Sequence, residues 1–181
     1  MKKTLTTFAL FTTLILSAQT DQKIYDIIDN ISADRIKKDV KTLTEFGTRN
    51  TFSDTISSTR GIGAARRWIK SEFETISKDC NNCIAVSYQK DLVTEEGNRR
   101  VPHDTWVVNV VAVQRGTKYP NKYVIMSGDI DSRASDTMDF TTDAPGANDN
   151  ASGMAGTIEA ARVLSKYKFE SSILYVGLSG E

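Results

Sequence analysis

The chain has 181 residues, of which 25% are charged and 39% apolar, and its formal net charge is zero. This composition is typical of a globular protein with enough chain for one domain and a core of useful size. The balanced charge gives no electrostatic reason to expect nucleic acid or a membrane as a partner, so the prediction excludes both.

Residues 1–18 have the pattern of a secretory signal peptide. Lys2 and Lys3 form a basic start, the segment 8–16 is apolar, and Ser17 and Ala18 offer a small-residue cleavage site. The apolar run is too short to span a bilayer. The sequence therefore predicts export to the periplasm or the exterior, with a buried N-terminal helix as the alternative.

Helical spacing of apolar residues predicts three helices in the first part of the mature chain. The first begins at about Asp21, the second is capped by Ser32, and the third runs from Gly61 to Ser77. A loop beginning at Phe46 completes a predicted N-terminal segment 19–60. Each helix has apolar residues at helical spacing: Ile24, Ile27, Ile28 and Ile31 in the first; Ile36, Val40 and Leu43 in the second; Ala65, Trp68, Ile69, Phe73 and Ile76 in the third. The stripe of the third helix is predicted to pack in the core.

Cys80 and Cys83 are the only cysteines, and they follow the third predicted helix. A thioredoxin-like redox pair would require a strand before it, and a zinc knuckle would require more partners than His103. In an exported chain the best interpretation of the pair is a local structural disulfide.

The rest of the chain alternates between strands and a helix. Strands are predicted at Ile84–Leu92, Trp106–Val113, Tyr123–Met126 and Ile173–Leu178, and a helix at Ser152–Tyr167, capped by Asn150 or Ser152. The apolar Tyr123–Met126 is typical of the buried centre of a sheet. The order strand, helix, strand predicts a βαβ unit with parallel strands, and hence an α/β fold.

Carboxylates follow or precede these elements at positions that share one edge of the sheet. Asp129 and Asp131 come after the third strand, Asp149 comes before the helix, and Glu181 follows the last strand. Ligands of open α/β sheets collect at the carboxyl ends of the strands, and carboxylates gathered there repel one another unless a cation lies among them. The spacing therefore predicts a divalent-metal site, although Asp is also common in caps and turns.

Several short motifs follow one another along the chain and, taken together, are more specific than the spacing of the carboxylates. They resemble the secreted zinc aminopeptidases of the bacterial leucyl-aminopeptidase type, whose domain is shared by transferrin-receptor-like carboxypeptidases and glutaminyl cyclases. The similarity runs from about Arg49 to the end of the chain. It rests on residues 109–112, 127–133, 144–153, 159–164 and 179–181, together with the loop 46–49.

This resemblance implies a fold and an activity. The fold is a three-layer α/β zinc-exopeptidase domain with a mostly parallel central sheet, of which residues 61–181 would be the N-terminal part, truncated after its N-terminal half. The implied function is metal-dependent hydrolysis of peptide N-termini. The implied cofactor is zinc at two sites in the complete domain, with manganese as an alternative.

The resemblance also assigns roles to single residues. Asp149 matches a bridging metal ligand, and Asp129 stands where the family usually has a metal-binding histidine. Asp131 matches the aspartate that orients that ligand, and Glu181 matches the general base. The chain as given is expected to be an inactive N-terminal fragment. The alternatives are a non-catalytic binding or structural relative and a single-metal transferase of the glutaminyl cyclase type.

Overall fold

A computed structural model describes residues 21–97 and 99–180, so the predicted signal peptide and Glu181 lie outside the described residues. Among the helices described, none combines the length and apolar composition that crossing a bilayer requires. The elements in chain order are α1 (Gln22–Asp29), α2 (Ala33–Glu45), α3 (Gly61–Asp79), β1 (Ile84–Val93), β2 (Thr105–Gln114), β3 (Tyr119–Asp129), an irregular turn (Ala147–Ala151), α4 (Ser152–Leu164) and β4 (Ser171–Leu178).

Helices α2 and α4 both begin where the sequence predicts, but only α2 has its predicted cap. Ser32 caps α2, because its hydroxyl oxygen accepts a hydrogen bond from the Arg35 amide at 3.3 Å. At α4 the predicted cap is wrong. Ala151 occupies the cap position without a side-chain bond, and the Ser152 hydroxyl donates to the carbonyl of Asn148 at 2.8 Å. Ala151, at the cap position, has a helical backbone conformation instead of the extended one that is typical of a side-chain cap.

Helix α1 forms as predicted, but its apolar stripe does not enter the core. Ile24, Ile28 and Ile31 are 55%, 53% and 50% exposed. The helix contains no buried residue, and its cap bond comes from the Asp21 carboxylate, which accepts from the Lys23 amide. The predicted amphipathic helix is therefore confirmed, although its isoleucines are exposed among the described residues.

The strands form one sheet in the order β1-β2-β4-β3. Strand β3 runs parallel to β4, and α4 supplies the crossover between them, so the predicted βαβ unit and the α/β class are confirmed. The other two pairings among the described strands, β1 with β2 and β2 with β4, are antiparallel. The predicted mostly parallel sheet is thus wrong for these four strands, since the short connection 94–104 allows β1 and β2 to pair as neighbours of opposite direction.

Strand β3 also differs from its prediction. It begins at Tyr119, before the predicted start at Tyr123, and it forms an edge of the described sheet rather than its centre. Tyr123, Val124 and Ile125 are 51%, 56% and 64% exposed. An apolar run indicates that a segment favours a strand, but the position of that strand in the sheet depends on which other strands pair with it.

The core lies between the sheet and the helices. Helix α3 packs on β1 and β2, α4 packs on β3 and β4, and α4 contacts both α2 and α3, so among the described residues the helices cover one face of the sheet. Phe73 of α3 and Tyr175 of β4 meet inside, with ring centroids 6.4 Å apart. The predicted stripe of α3 is confirmed, with Trp68 at its partly buried margin.

The close approach of α4 to β3 requires a glycine in the strand. A Cβ atom added at Gly128 would lie 2.4 Å from the backbone nitrogen of Met154. Replacing Gly128 with alanine is expected to lower the free energy of unfolding by about 1–3 kcal/mol, because the backbones must separate. Urea unfolding measures the change. Gly156→Ala, where a Cβ would meet nothing within 4 Å, is the matched control and is expected to be neutral or stabilising.

The predicted disulfide is confirmed. Cys80 and Cys83 are bonded to each other directly after α3, and the chain between them turns through Asn81 and Asn82 with φ of 59° and 60°. The small loop that they close leads into β1, so the bridge joins the end of α3 to the first strand.

Candidate metal centre

The carboxyl ends of β3 and β4 lie side by side. Asp129 is in register with Leu178, and the amide of Ile130 donates to the carbonyl of Leu178 at 2.6 Å. Residues that follow the two strands therefore emerge at the same edge of the sheet. This parallel pairing is the feature on which the predicted convergence of carboxylates depends.

Asp131 is fixed at this edge. It is buried, and its Oδ2 atom accepts hydrogen bonds from the Thr51 hydroxyl at 2.7 Å and from the Gly180 amide at 2.9 Å. The Gly180 amide is also 3.1 Å from the Thr51 hydroxyl oxygen. The loop that ends the chain is thus tied to the loop that follows β3, immediately before the predicted base Glu181.

Asp129 and Asp149 add two further negative charges. Partial burial raises the pKa of Asp129, and the nearby charges of Asp131 and Asp149 raise that pKa further. Asp149 is exposed on the irregular turn before α4, and the peptide bond that follows it is cis. The three aspartates therefore interact electrostatically, and a cation among them would relieve their repulsion.

The turn also contains a buried oxygen with no partner. Among the residues described, the side-chain oxygen Oδ1 of Asn150 has no hydrogen-bond donor. A Cβ atom added at Gly153 would lie only 1.9 Å from that oxygen, so glycine is required there for the side chain to fit. Carboxylate and amide oxygens are ligands that hard divalent cations accept.

Arg49 holds together the loops that carry these groups. Its side chain is fully buried, and it donates to the carbonyls of Leu43, Ile130, Pro145 and Gly146 at 2.9, 2.7, 2.7 and 3.1 Å. Burial lowers the pKa of Arg49 to about 10, while the charge of Asp131 opposes that shift. One side chain thus joins the end of α2 to the segments preceding Asp131 and Asp149.

The backbone of the same loop completes the framework. Thr48 pairs with Ala144 in a parallel bridge, and the Arg49 amide donates to the Ser132 hydroxyl oxygen at 3.1 Å. That hydroxyl in turn donates to the Ala144 carbonyl at 2.6 Å. The long acidic loop after Asp131 is therefore anchored at both of its ends.

The structure thus places Asp129, Asp131 and Asp149 in one electrostatic neighbourhood. Within the described ranges, however, no three His, Cys, Asp or Glu side chains are arranged to hold a metal ion. Glu181 lies outside those ranges, so its predicted role stays a prediction. A cavity of about 240 Å³ opens beside Asp131, lined also by Thr51 and Arg133.

Sequence reasoning missed three of the groups that shape this edge. Thr51 and Gly180 bind Asp131, and Arg49 binds the carbonyls around it. A signal was present, because the loop that begins at Phe46 interrupts a helical pattern and carries a charged residue among small ones. The fold brings Arg49 to residues more than eighty positions away, as its bond to Ile130 shows. The pattern of residues around Arg49 in the sequence does not indicate these distant partners.

Curated proteins related to this chain are named as probable zinc metalloproteases. The relative from Leptosphaeria maculans is 40% identical over 161 residues, which cover 89% of this chain and 37% of that protein. The chain spans 33–37% of the length of the first curated relatives that it matches.

Solved structures share the fold. The LapA aminopeptidase of Legionella pneumophila has a TM-score of 0.67 at 18% identity, with 99% of this chain and 43% of that chain covered. The glutaminyl cyclase of Macrostomum lignano has a TM-score of 0.65 at 16% identity, with 90% of this chain and 42% of that chain covered. At these identities the likeness is one of fold.

The match to a protein family falls on the segment that carries the aspartates. Residues 109–181 match the family described as Peptidase family M28. That segment begins in β2 and includes β3, the turn with Asp149, α4 and β4. Over residues 109–181 the chain is therefore similar to part of a Peptidase family M28 domain.

Proposed function

We propose that this chain is part of a metal-dependent exopeptidase that hydrolyses peptide N-termini, and that the carboxyl ends of β3 and β4 form part of its active site. The observation that carries the proposal is the shared electrostatic neighbourhood of Asp129, Asp131 and Asp149. The family match and the names of the curated relatives support the same class of reaction and support zinc as the metal.

In this proposal Asp149 and Asp129 hold the metal. A bound zinc ion would supply Lewis acidity toward a water molecule and the peptide carbonyl. Asp131, fixed by Thr51 and the Gly180 amide, would hold a negative charge near Asp129. Glu181 would accept the proton from the attacking water, because it directly follows the Gly180 amide that binds Asp131.

The donor set of the described residues fits a hard or borderline cation. Asp129 supplies an anionic oxygen where the family resemblance implies a neutral imidazole, and an added negative ligand weakens the Lewis acidity of zinc. Manganese is therefore a second metal to test. The number of metal sites in the complete domain is proposed as two, on the family resemblance alone.

Zinc binding tests the proposal without requiring turnover. Asp149→Asn and Asp129→Asn are each expected to weaken zinc binding at least tenfold in isothermal titration calorimetry, because each removes an anionic ligand. Asp129→His is expected to strengthen it, since zinc binds imidazole well. Asp34→Asn, at an exposed position on α2, is the control. Unchanged zinc affinity in both Asp→Asn variants would contradict the proposal.

Activity is a separate measurement. Because the chain spans about a third of its relatives, we expect the 181-residue chain to hydrolyse a leucine anilide slowly or not at all, with zinc or with manganese. A glutaminyl peptide in the same assay series distinguishes a cyclising transferase from a peptidase. Rapid zinc-dependent turnover of the anilide would contradict the expected inactivity while supporting the peptidase assignment.

A further inference from the structure

A second groove lies between α3 and the β1–β2 pair, and none of the three aspartates lines it. Its volume is about 770 Å³, and cationic and aromatic side chains dominate its lining: Arg66, Arg67, Lys90, Tyr88 and Trp106. Asp104 contributes one negative charge to the same lining. The groove therefore combines an excess of positive charge with aromatic walls.

Arg66 is the unusual member of this set. It is 9% exposed, and within residues 21–97 and 99–180 its guanidinium has neither a hydrogen bond nor an ion pair. Burial lowers the pKa of Arg66, Tyr88 opposes that shift, and the charge of Arg67 adds to it. A buried cation is normally paired, because its desolvation is otherwise uncompensated.

The other arginines illustrate the contrast. Arg67, the next residue, donates to the carbonyls of Thr55, Ile56 and Ser57 and is thereby committed to the loop before α3. Arg49 is bonded to four carbonyls, as described above. Arg66 thus presents one planar set of donors to the groove, and that set matches the two oxygens of a single carboxylate.

The aromatic residues supply the second half of a binding site. Two lysines lie near the ring of Tyr88, with Nζ of Lys70 at 5.7 Å and Nζ of Lys90 at 5.8 Å from the ring centroid. Trp106 is 56% exposed, which leaves a large apolar surface open to the groove. Ring surfaces of this size bind the apolar or aromatic part of a ligand.

We propose that this groove binds a carboxylate carried on an aromatic or apolar group, with the carboxylate on Arg66 and the apolar part against Trp106 and Tyr88. A monoanion is favoured over a phosphate dianion, because Arg66 is the only guanidinium among the described lining residues that has no hydrogen bond to another described residue, and Asp104 adds a negative charge to the lining. The lining of the groove contains none of the aspartates of the proposed metal centre.

The test compares two ligands that differ in one charged group. Backbone amide shifts of the ¹⁵N-labelled chain are followed by NMR while N-acetylphenylalanine or its uncharged amide is added. The acid is expected to bind with a Kd on the order of 1–10 mM and to shift resonances of Arg67, Tyr88 and Lys90 together with the Trp106 indole. The amide is expected to bind at least tenfold more weakly.

Variants assign the contacts. Arg66→Met is expected to weaken binding of the acid at least tenfold, whereas Arg115→Met removes the same charge at an exposed site and is expected to change nothing. Trp106→Ala, at an exposed position that can be truncated without unfolding, is expected to weaken binding about threefold. It keeps the test decisive if Arg66→Met does not fold.

Three results would overturn the proposal. The first is equal binding of the acid and the amide by the wild-type chain. The second is unchanged affinity for the acid in Trp106→Ala or in folded Arg66→Met. The third is binding of phenyl phosphate more than tenfold tighter than that of the acid, which would make the groove a phosphate site.

Discussion

Replacing Arg49 with methionine is expected to lower the free energy of unfolding by roughly 3–5 kcal/mol. The variant leaves four backbone carbonyls, those of Leu43, Ile130, Pro145 and Gly146, without their buried donor. Each unsatisfied buried polar group costs about 1–3 kcal/mol, and partial relaxation of the loops recovers some of the sum. Urea unfolding followed by circular dichroism measures the loss.

Two further variants test whether the loss of stability comes from the buried hydrogen bonds of Arg49 or from the loss of a positive charge. Arg49→Lys keeps the charge but offers its donors from one point, so it is expected to lose an intermediate amount. Arg115→Met, at an exposed position, is expected to change the free energy of unfolding by less than about 0.5 kcal/mol. A loss below about 1 kcal/mol in Arg49→Met would show that the carbonyls find other partners and that the residue does not hold the loops.

Asp39 is expected to make the stability of the protein fall as the pH rises toward neutrality. It is 5% exposed on α2, and its Oδ2 atom has no hydrogen-bond partner among the described residues. Its pKa is raised to about 6, and burial is the largest cause. The charges of Glu72 and Glu159 contribute to the rise, and those of Arg35 and Lys38 oppose it. The folded state therefore favours the protonated carboxyl.

The sign of the effect follows from this pKa. A folded-state value above the ordinary 3.8 means that the contribution of Asp39 is fully present at low pH and is lost as the pH rises through about 6. Because one pKa unit corresponds to about 1.4 kcal/mol, the loss has an upper limit of roughly 3 kcal/mol. Asp39→Asn cannot ionise, so it is expected to be more stable than the wild type at pH 7.5 by up to that amount.

The measurement is the difference in unfolding free energy between Asp39→Asn and the wild type, at several values between pH 4 and pH 8. The difference should grow with pH and level off above about pH 7. Asp34→Asn on the same helix is exposed and should show no such rise. A pH-independent difference for Asp39→Asn would mean that the carboxyl is solvated in the folded protein and that its pKa is not raised.

Much of the secondary structure could be predicted because its causes are local. The stripe from Ala65 to Ile76 specifies the amphipathic helix α3, and the valine-rich run in β2 specifies a strand. Ser32 caps the start of α2 with its side chain. The connection between β3 and β4 is long enough to contain a helix, which is what a parallel pair requires. These features depend on spacing along the chain.

The features that the sequence did not predict concern which segments pack against one another and which side chains are buried. Tyr123–Met126 was predicted to be buried because it is apolar, yet it lies at the edge of the described sheet. The isoleucines of α1 are exposed although their spacing is helical. Whether a segment is buried depends on which other segments pack against it, and the sequence of the segment alone does not identify them.

The sequence by itself determined which residue types are available to the candidate site and in what order: Asp129 and Asp131 after one strand, Asp149 before a helix and Glu181 at the end. Only the tertiary structure decided how the first three are held. The bonds of Thr51 and Gly180 to Asp131, and of Arg49 to four carbonyls, join segments that are distant in the chain. The same holds for the groove around Arg66, because whether a buried guanidinium finds a partner depends on every element packed around it.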